Sequence, residues 1–366
     1  MSGIKQLKNR IKSVSSTEKI TSAMKMISVS KLRQNHELLL KAYPFADEIE
    51  RMTRRLVRSV LARQEELTAS GSNQKLPIPL LLKGHPSDNH HLVVCLTSDD
   101  GLCGQFNQMI IEKTAQVVQI LKKQNKKITL LCFGKRGYEH LRRRISDVHI
   151  HFLPTKNDKK TPLFLDAERL STSMADAFYK NDFDACSVVY MGFETAARQN
   201  VRVEQLIPLD TFQHEKKWEK LLPLDEPSYI NRDVLGNKKI KKQHAILLSA
   251  IGAQNISSPL GAINAHGLLN TSTRLPSAYD YEPTDTEMLE NILPFYLEAY
   301  IYKILLETRA SEHTYRLLAM ENASKNAGDM IKKFERTFHK KRQEGVTNNL
   351  IEVVSGATSE KTGDLT

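Results

Sequence analysis

One segment of this 366-residue chain has residue types that invite chemistry: Thr97-Ser98-Asp99-Asp100-Gly101-Leu102-Cys103-Gly104-Gln105-Phe106-Asn107. It lies between a short apolar run and a helical stretch. At such a junction in an open α/β sheet, backbone N–H groups and a helix N-terminus can receive an anionic ligand. The segment carries neither G-x-x-x-x-G-K-[ST] nor G-x-G-x-x-G, and Gly101 and Gly104 alone are a weak signal. Glycines at a strand-to-helix turn are ordinarily there for backbone conformation. Asp99 and Asp100 would need further His or carboxylate partners at ligand spacing to hold a metal, and the twelve histidines are scattered. No nucleophile stands beside a base. The sequence therefore predicts no catalytic residue, no cofactor site and no metal site.

The elements around that segment read as alternating strands and helices. His91 to Thr97 is a continuous apolar run, as expected of a buried strand, and Gln105 to Lys123 follows with helical spacing. Lys127 to Phe133 followed by Lys135 to Arg144 repeats the pattern, and Asp184 to Tyr190 follows the helical Leu165 to Tyr179. Gln199 to Leu209 reads as a further strand. This alternation predicts a Rossmann-like α/β domain over residues 91–211 with a mostly parallel sheet. Thr68 to Asn89 contains Ser-Gly-Ser, Pro77, Pro79, Gly84 and Pro86, so residues 64–90 read as a linker or insertion. Residues 212–283 read as an irregular insertion, with a lysine cluster at Lys238, Lys239, Lys241 and Lys242 and a short helix at Gln243 to Ile251.

The two ends differ from this middle in carrying long helical patterns. Ile4, Leu7, Ile11 and Val14 step by three or four residues, and Ala42, Phe45, Ile49, Met52 and Leu56 resume the rhythm. Leu293, Leu297, Ile301 and Ile304, then Ala327, Ile331, Phe334 and Phe338, do the same at the other end. Such stripes can bury each other as a coiled coil. The expected helices cover residues 1–63, interrupted near Pro44, and 284–366, kinked or restarted at Pro294. Asp285 and Glu287 favour the start of the second through the helix dipole.

Charge separates the two. Residues 1–60 hold thirteen Lys and Arg against five Asp and Glu, 13 − 5 = +8 of the whole chain's +11, whereas residues 284–345 hold ten of each. A cationic rod implies an anionic partner, and a basic coiled-coil nucleic-acid-binding protein is one reading. No run of about 18 apolar residues exists to span a bilayer, and the first ten residues lack the apolar core of a signal peptide. A cytoplasmic protein is expected. Cys95, Cys103, Cys132 and Cys186 lie in or beside apolar runs without CxxC spacing, which predicts reduced, packed thiols.

Four segments in order resemble one family. Ile4 to Arg33 (IKQLKNRIKSVSSTEKITSAMKMISVSKLR) is similar to the first helix of the gamma subunit of F-type ATP synthases. TSDDGLCGQFN resembles that family's loop after the first domain strand, and Ala310 to Ala327 (ASEHTYRLLAMENASKNA) with Arg342 to Gly356 (RQEGVTNNLIEVVSG) resemble its carboxyl-terminal signatures. The resemblance covers about two thirds of the chain. It implies an antiparallel coiled coil of the terminal helices, turning inside a ring of catalytic alpha and beta subunits, with the α/β domain resting on the membrane c-ring beside an epsilon subunit. About 60 helical residues would make a rod of roughly 90 Å, long enough for that role. ATP chemistry would occur elsewhere, so the chain itself is expected to be non-catalytic, to bind no nucleic acid and not to insert in the membrane. A peripheral position on the cytoplasmic face of a bacterial plasma membrane follows. By the same resemblance, Met24, Lys25, Arg316, Gln343, Thr347 and Glu352 fall at positions of shaft-to-ring contact or shaft bracing. Lys25 stands where the family often has an acid, and Thr314 and Tyr315 occupy positions usually small.

Overall fold

The computed structural model describes residues 2–69, 77–154, 163–195, 198–209 and 284–363. The 212–283 insertion, with its lysine cluster and Gln243 to Ile251, lies outside the described residues. In chain order the elements are α1 (Ser2–Ala69), α2 (Leu80–Lys83), β1 (His90–Leu96), α3 (Phe106–Lys123), β2 (Lys127–Phe133), α4 (Lys135–Arg144), β3 (His149–Leu153), α5 (Leu163–Tyr179), β4 (Ala185–Thr195), β5 (Arg198–Ile207) and α6 (Asp285–Gly363). They form two compact units, residues 1–30 with 315–366 and residues 31–314.

In the larger unit a five-stranded sheet has the order β3-β2-β1-β4-β5. Pairings β1–β2, β1–β4 and β2–β3 are parallel, while β4–β5 is antiparallel. The mostly parallel, Rossmann-like sheet expected from the alternation is therefore present. Its central strands are apolar because both faces are covered: β1 is buried from His91 onward, and β4 from Ala185 to Phe193. Helix α3 turns Phe106, Ile110, Ile111, Val117, Val118 and Leu121 inward at helical spacing and stops at Asn125, whose φ of 57° no helix continues. Strand β3 escaped the sequence reading. Its His-Ile-His-Phe-Leu run is partly exposed at the sheet edge, so burial never wrote a long apolar signature into it.

Helical segments 31–69 and 285–314 belong to this unit. Ile49, Leu56, Val57 and Val60 of α1 and Leu289, Leu293, Leu297, Ile301 and Ile304 of α6 join the sheet residues Leu92, Val94, Val188 and Tyr190 in one core. Leu81 of α2 is fully buried there and its carbonyl accepts from Leu209 N–H at 2.7 Å. Both prolines lie inside continuous helices, so neither breaks the helix that carries it. Pro44, Pro294 and the residues one turn earlier, Leu40 and Glu290, are all exposed, so a carbonyl that loses its helical donor can turn to water.

The seam itself is shifted from the expected one. Phe45 and Met52 are each 48% exposed, and the inward positions of this stretch are Leu39, Ala42, Ala46, Ile49, Thr53, Leu56 and Val60. A strict three-four alternation selects Ala46 and Thr53 over their bulkier neighbours, and small seam residues let helices approach closely. Phe45 instead packs edge-on against Phe295 with ring centroids 5.8 Å apart. All four cysteines are buried and none forms a disulfide.

Candidate functional site

The strand-to-helix turn at residues 97–107 engages its polar groups within itself and with the start of α4. Asn107 Oδ1 accepts from Ser98 N–H at 3.0 Å, Asn107 Nδ2 donates to Ser98 Oγ at 2.8 Å, and Ser98 Oγ donates to the Asp100 carbonyl at 2.7 Å. Asp99 Oδ1 accepts from Lys135 N–H at 2.8 Å, which ties the turn to the start of α4. Gly104 has φ 56°, and Gly134, at the head of α4, has φ 105° and lies so near Thr97 that a Cβ would fall 2.1 Å from the Thr97 carbonyl oxygen. These glycines serve backbone conformation and close approach. Among the described residues no group of three or more His, Cys, Asp or Glu is placed to hold a metal ion.

The smaller unit is the stronger candidate. It consists of two antiparallel helical segments: Lys25 meets Glu321, and Glu18, seven residues earlier, lies beside Gly328, seven residues later. Ile4, Leu7, Ile11 and Val14 face inward and are half-buried, as are Ile331, Phe334 and Phe338 of α6. The alternation then continues through polar residues, Glu18, Thr21, Lys25 and Ser28, against Leu317, Met320 and Ala327. Thr21 and Ser28 are buried and donate to the carbonyls of Glu18 at 3.0 Å and Met24 at 2.8 Å, so they bring no unpaired hydroxyl into the seam. Lys25 Nζ reaches Glu321 Oε1 at 3.1 Å. One charge pair at a seam position fixes register more than it adds stability.

Each residue singled out by sequence has a definite place. Met24 is half-buried beside Lys25, and Arg316 is buried on α6. Thr347 Oγ1 donates to the Gln343 carbonyl at 3.0 Å, one turn earlier on α6, and both residues and Glu352 are exposed. The structure thus brings Lys25 to Glu321 and Gln343 to Thr347. Glu18, Thr21, Ser28 and Glu321 escaped the sequence reading because it followed only apolar residues. The signal was present in the unbroken three-four spacing from Val14 through Glu18, Thr21, Lys25 and Ser28 to Leu32.

Apolar side chains also point away from the seam. Ile20, Met26 and Ile27 are 60%, 71% and 56% exposed, and near the end of α6 Val346, Leu350 and Ile351 are exposed as well. Exposed apolar clusters on a soluble surface mark contact with a partner. No helix among the described residues is long and apolar enough to cross a membrane.

A seam-paired helical unit joined in sequence to a sheet of this order sets a class of protein, and comparison with known proteins defines it. The family model described as ATP synthase matches residues 3–359. The ATP synthase gamma chain of Rhodospirillum rubrum is 35% identical over 358 residues, covering 98% of this chain and 99% of the relative, and that of Pelagibacter ubique is 32% identical over 359 residues, covering 98% and 100%. The chain belongs to the ATP synthase gamma-chain family. The same fold recurs in chains of two cryo-EM structures of the Euglena gracilis mitochondrial ATP synthase. One, of the rotor, has a TM-score of 0.53 at 15% identity, covering 94% of this chain and 99% of that one; the other, of OSCP/F1/c-ring, has 0.55 at 16%, covering 100% and 97%. Nothing in these comparisons favours the nucleic-acid reading.

Proposed function

We propose that the chain is the rotating central-stalk subunit of an F-type ATP synthase, coupling ion flow through a membrane rotor to conformational change at catalytic sites on other subunits. Its partners in this reading are the alpha and beta subunits of the catalytic head, the epsilon subunit and the membrane c-ring. The chain performs no catalysis itself. It sits peripherally, on the cytoplasmic face of a bacterial plasma membrane. The observation that carries the reading is the outward apolar set on a polar-seamed helical pair: Ile20, Met26 and Ile27 on α1, and Val346, Leu350 and Ile351 on α6. Apolar contact is non-directional, so a shaft faced with it can turn past its surroundings without breaking oriented hydrogen bonds at every angle. Beside those residues, Met24, Lys25, Arg316, Gln343, Thr347 and Glu352 are further contacts with the ring or braces of the shaft. Lys25, bridged to Glu321, presents a neutralised pair to the ring rather than a bare cation.

The test is reconstitution. Co-expressed with alpha and beta subunits of a related ATP synthase, the chain should co-purify with them, and a probe fixed to its α/β unit should rotate when ATP is added. Recovery without those subunits, or salt-sensitive recovery of nucleic acid, refutes the proposal.

A further inference from the structure

In the larger unit a buried polar assembly joins both terminal helices to the antiparallel edge of the sheet. At its centre is Glu307 of α6, 1% exposed. Its Oε1 accepts from the Tyr43 hydroxyl of α1 at 2.7 Å, and its Oε2 accepts from Phe193 N–H of β4 at 3.3 Å and lies 3.6 Å from Arg202 Nη1 of β5. One carboxylate on α6 therefore binds three further elements. A second carboxylate repeats the device: Glu204 of β5 accepts from Tyr190 of β4 at 2.9 Å and from Tyr300 of α6 at 2.5 Å. Lys303 of α6 lies over the Tyr43 ring, 4.9 Å from its centroid, and Ser311 Oγ is 3.4 Å from the carbonyls of Met191 and Gly192. Gly192 is small because Arg202 crosses it; a Cβ there would fall 2.6 Å from Arg202 Nε.

Stability does not explain this arrangement. A buried charge network is commonly no more stabilising than apolar residues of the same shape, and burial here pushes the Glu307 carboxyl above its ordinary range despite the cations beside it. Apolar packing alone, however, leaves two helices able to roll and slide on a sheet, because its energy is nearly indifferent to direction. Hydrogen bonds to a carboxylate are directional, and Glu307 accepts them from α1 and β4 while the Arg202 guanidinium of β5 pairs with it at 3.6 Å. We infer that Tyr43, Glu307, Arg202 and Glu204 are positioning residues for rotation: they clamp segments 31–69 and 285–314 to the β4–β5 edge so that torque applied to the sheet turns the helices instead of rolling them. The inference rests on the rotary role proposed above.

Torsional stiffness tests it. With the reconstituted complex stalled on a non-hydrolysable nucleotide and a rod attached to the α/β unit, the angular variance of the rod reports the compliance between probe and head. Glu307→Gln, which keeps size but removes the charge, should raise that variance at least two-fold, and Tyr43→Phe, which removes one hydroxyl, should raise it by a smaller measurable amount. ATP hydrolysis without load should stay within two-fold in both, since neither residue faces a nucleotide. Unchanged variance in Tyr43→Phe together with a folded, stiff Glu307→Gln overturns the clamp. Should Glu307→Gln fail to fold, Tyr43→Phe alone decides. Failure of the unsubstituted chain to assemble or rotate would count against the rotary role and not against the clamp.

Discussion

Exchange of the charges at Lys25 and Glu321 examines the helical pair at the ion pair in its seam. The nitrogen and oxygen are 3.1 Å apart, and the side chains are 38% and 28% exposed. Two unit charges at about 4 Å attract by ~1 kcal/mol in water and ~4 kcal/mol at the effective dielectric of a protein surface. Ordering two long side chains and partly drying them subtracts most of this, and exposed pairs measure ~0.2–1 kcal/mol. For a pair this covered, the top of that range, about 1 kcal/mol, is the expected coupling. Lys25→Glu replaces attraction by repulsion of similar size, so the loss should be about 2 kcal/mol, as should that of Glu321→Lys. The double exchange should recover most of it. Urea unfolding followed by helical circular dichroism would measure all four proteins, and the differences should shrink at about 1 M salt, where screening acts within roughly 3 Å. A double exchange no more stable than the weaker single reversal would refute the antiparallel register that places Lys25 on Glu321.

Other perturbations reach other parts of the molecule. Gly134→Ala should destabilise the α/β unit by about 3 kcal/mol or more, because the backbone at φ 105° is costly for alanine and its Cβ would meet the Thr97 carbonyl; a urea midpoint close to that of the unsubstituted protein would contradict this. His91 is buried with Nε2 at 3.0 Å from Ser187 Oγ, and burial, the largest influence, lowers its pKa from 6.5 to about 4. The folded protein thus binds this proton less readily than the unfolded chain. Its contribution is intact above pH 6.5 and lost as pH falls toward 4, by about 3 kcal/mol once both states are protonated. His91→Gln should flatten the slope of unfolding free energy across that window. Truncation after Gly345 removes Thr347, Val346, Leu350, Ile351 and Glu352, all exposed, and should weaken coupling between ion flow and ATP turnover in the reconstituted complex while leaving the α/β unit's melting temperature within about 2 °C. Undiminished coupling would remove the α6 tip from the contact surface.

Much of the fold was legible because burial writes itself into composition. β2 and α4 fall at the residues their patterns mark, since the largely apolar Lys127 to Phe133 lies between the Asn125 turn and Gly134, which opens the helix. β3 was not legible: an edge strand exposed on much of its surface keeps histidines where a central strand would carry valine. Phe45 and Met52 misled for the opposite reason. They are large and apolar at helical spacing, yet the alternation that governs the seam passes through Ala46 and Thr53. The positions of the polar seam show in the three-four spacing, but the partners in that seam and in the Glu307 assembly share one cause of concealment. Lys25 with Glu321 and Tyr43 with Glu307 are paired across hundreds of residues, and no local period announces a partner that far away. The six proposed contact residues came from family resemblance, and only the structure adds that Lys25 is already engaged and that Arg316 is buried.

The three-four alternation from Ile4 to Ser28 has a mechanical side. A repeat of 3.5 residues on a helix of 3.6 per turn drifts, and two helices that keep such a seam in contact must wind around each other in a left-handed sense. A wound pair is not symmetric under twist. Turned one way, the strands tighten on each other and the Lys25 to Glu321 contact is pressed; turned the other way, they loosen and it is drawn apart. Synthesis and hydrolysis drive a central stalk in opposite senses, so this helical pair would be a stiffer spring in one direction of the cycle than in the other.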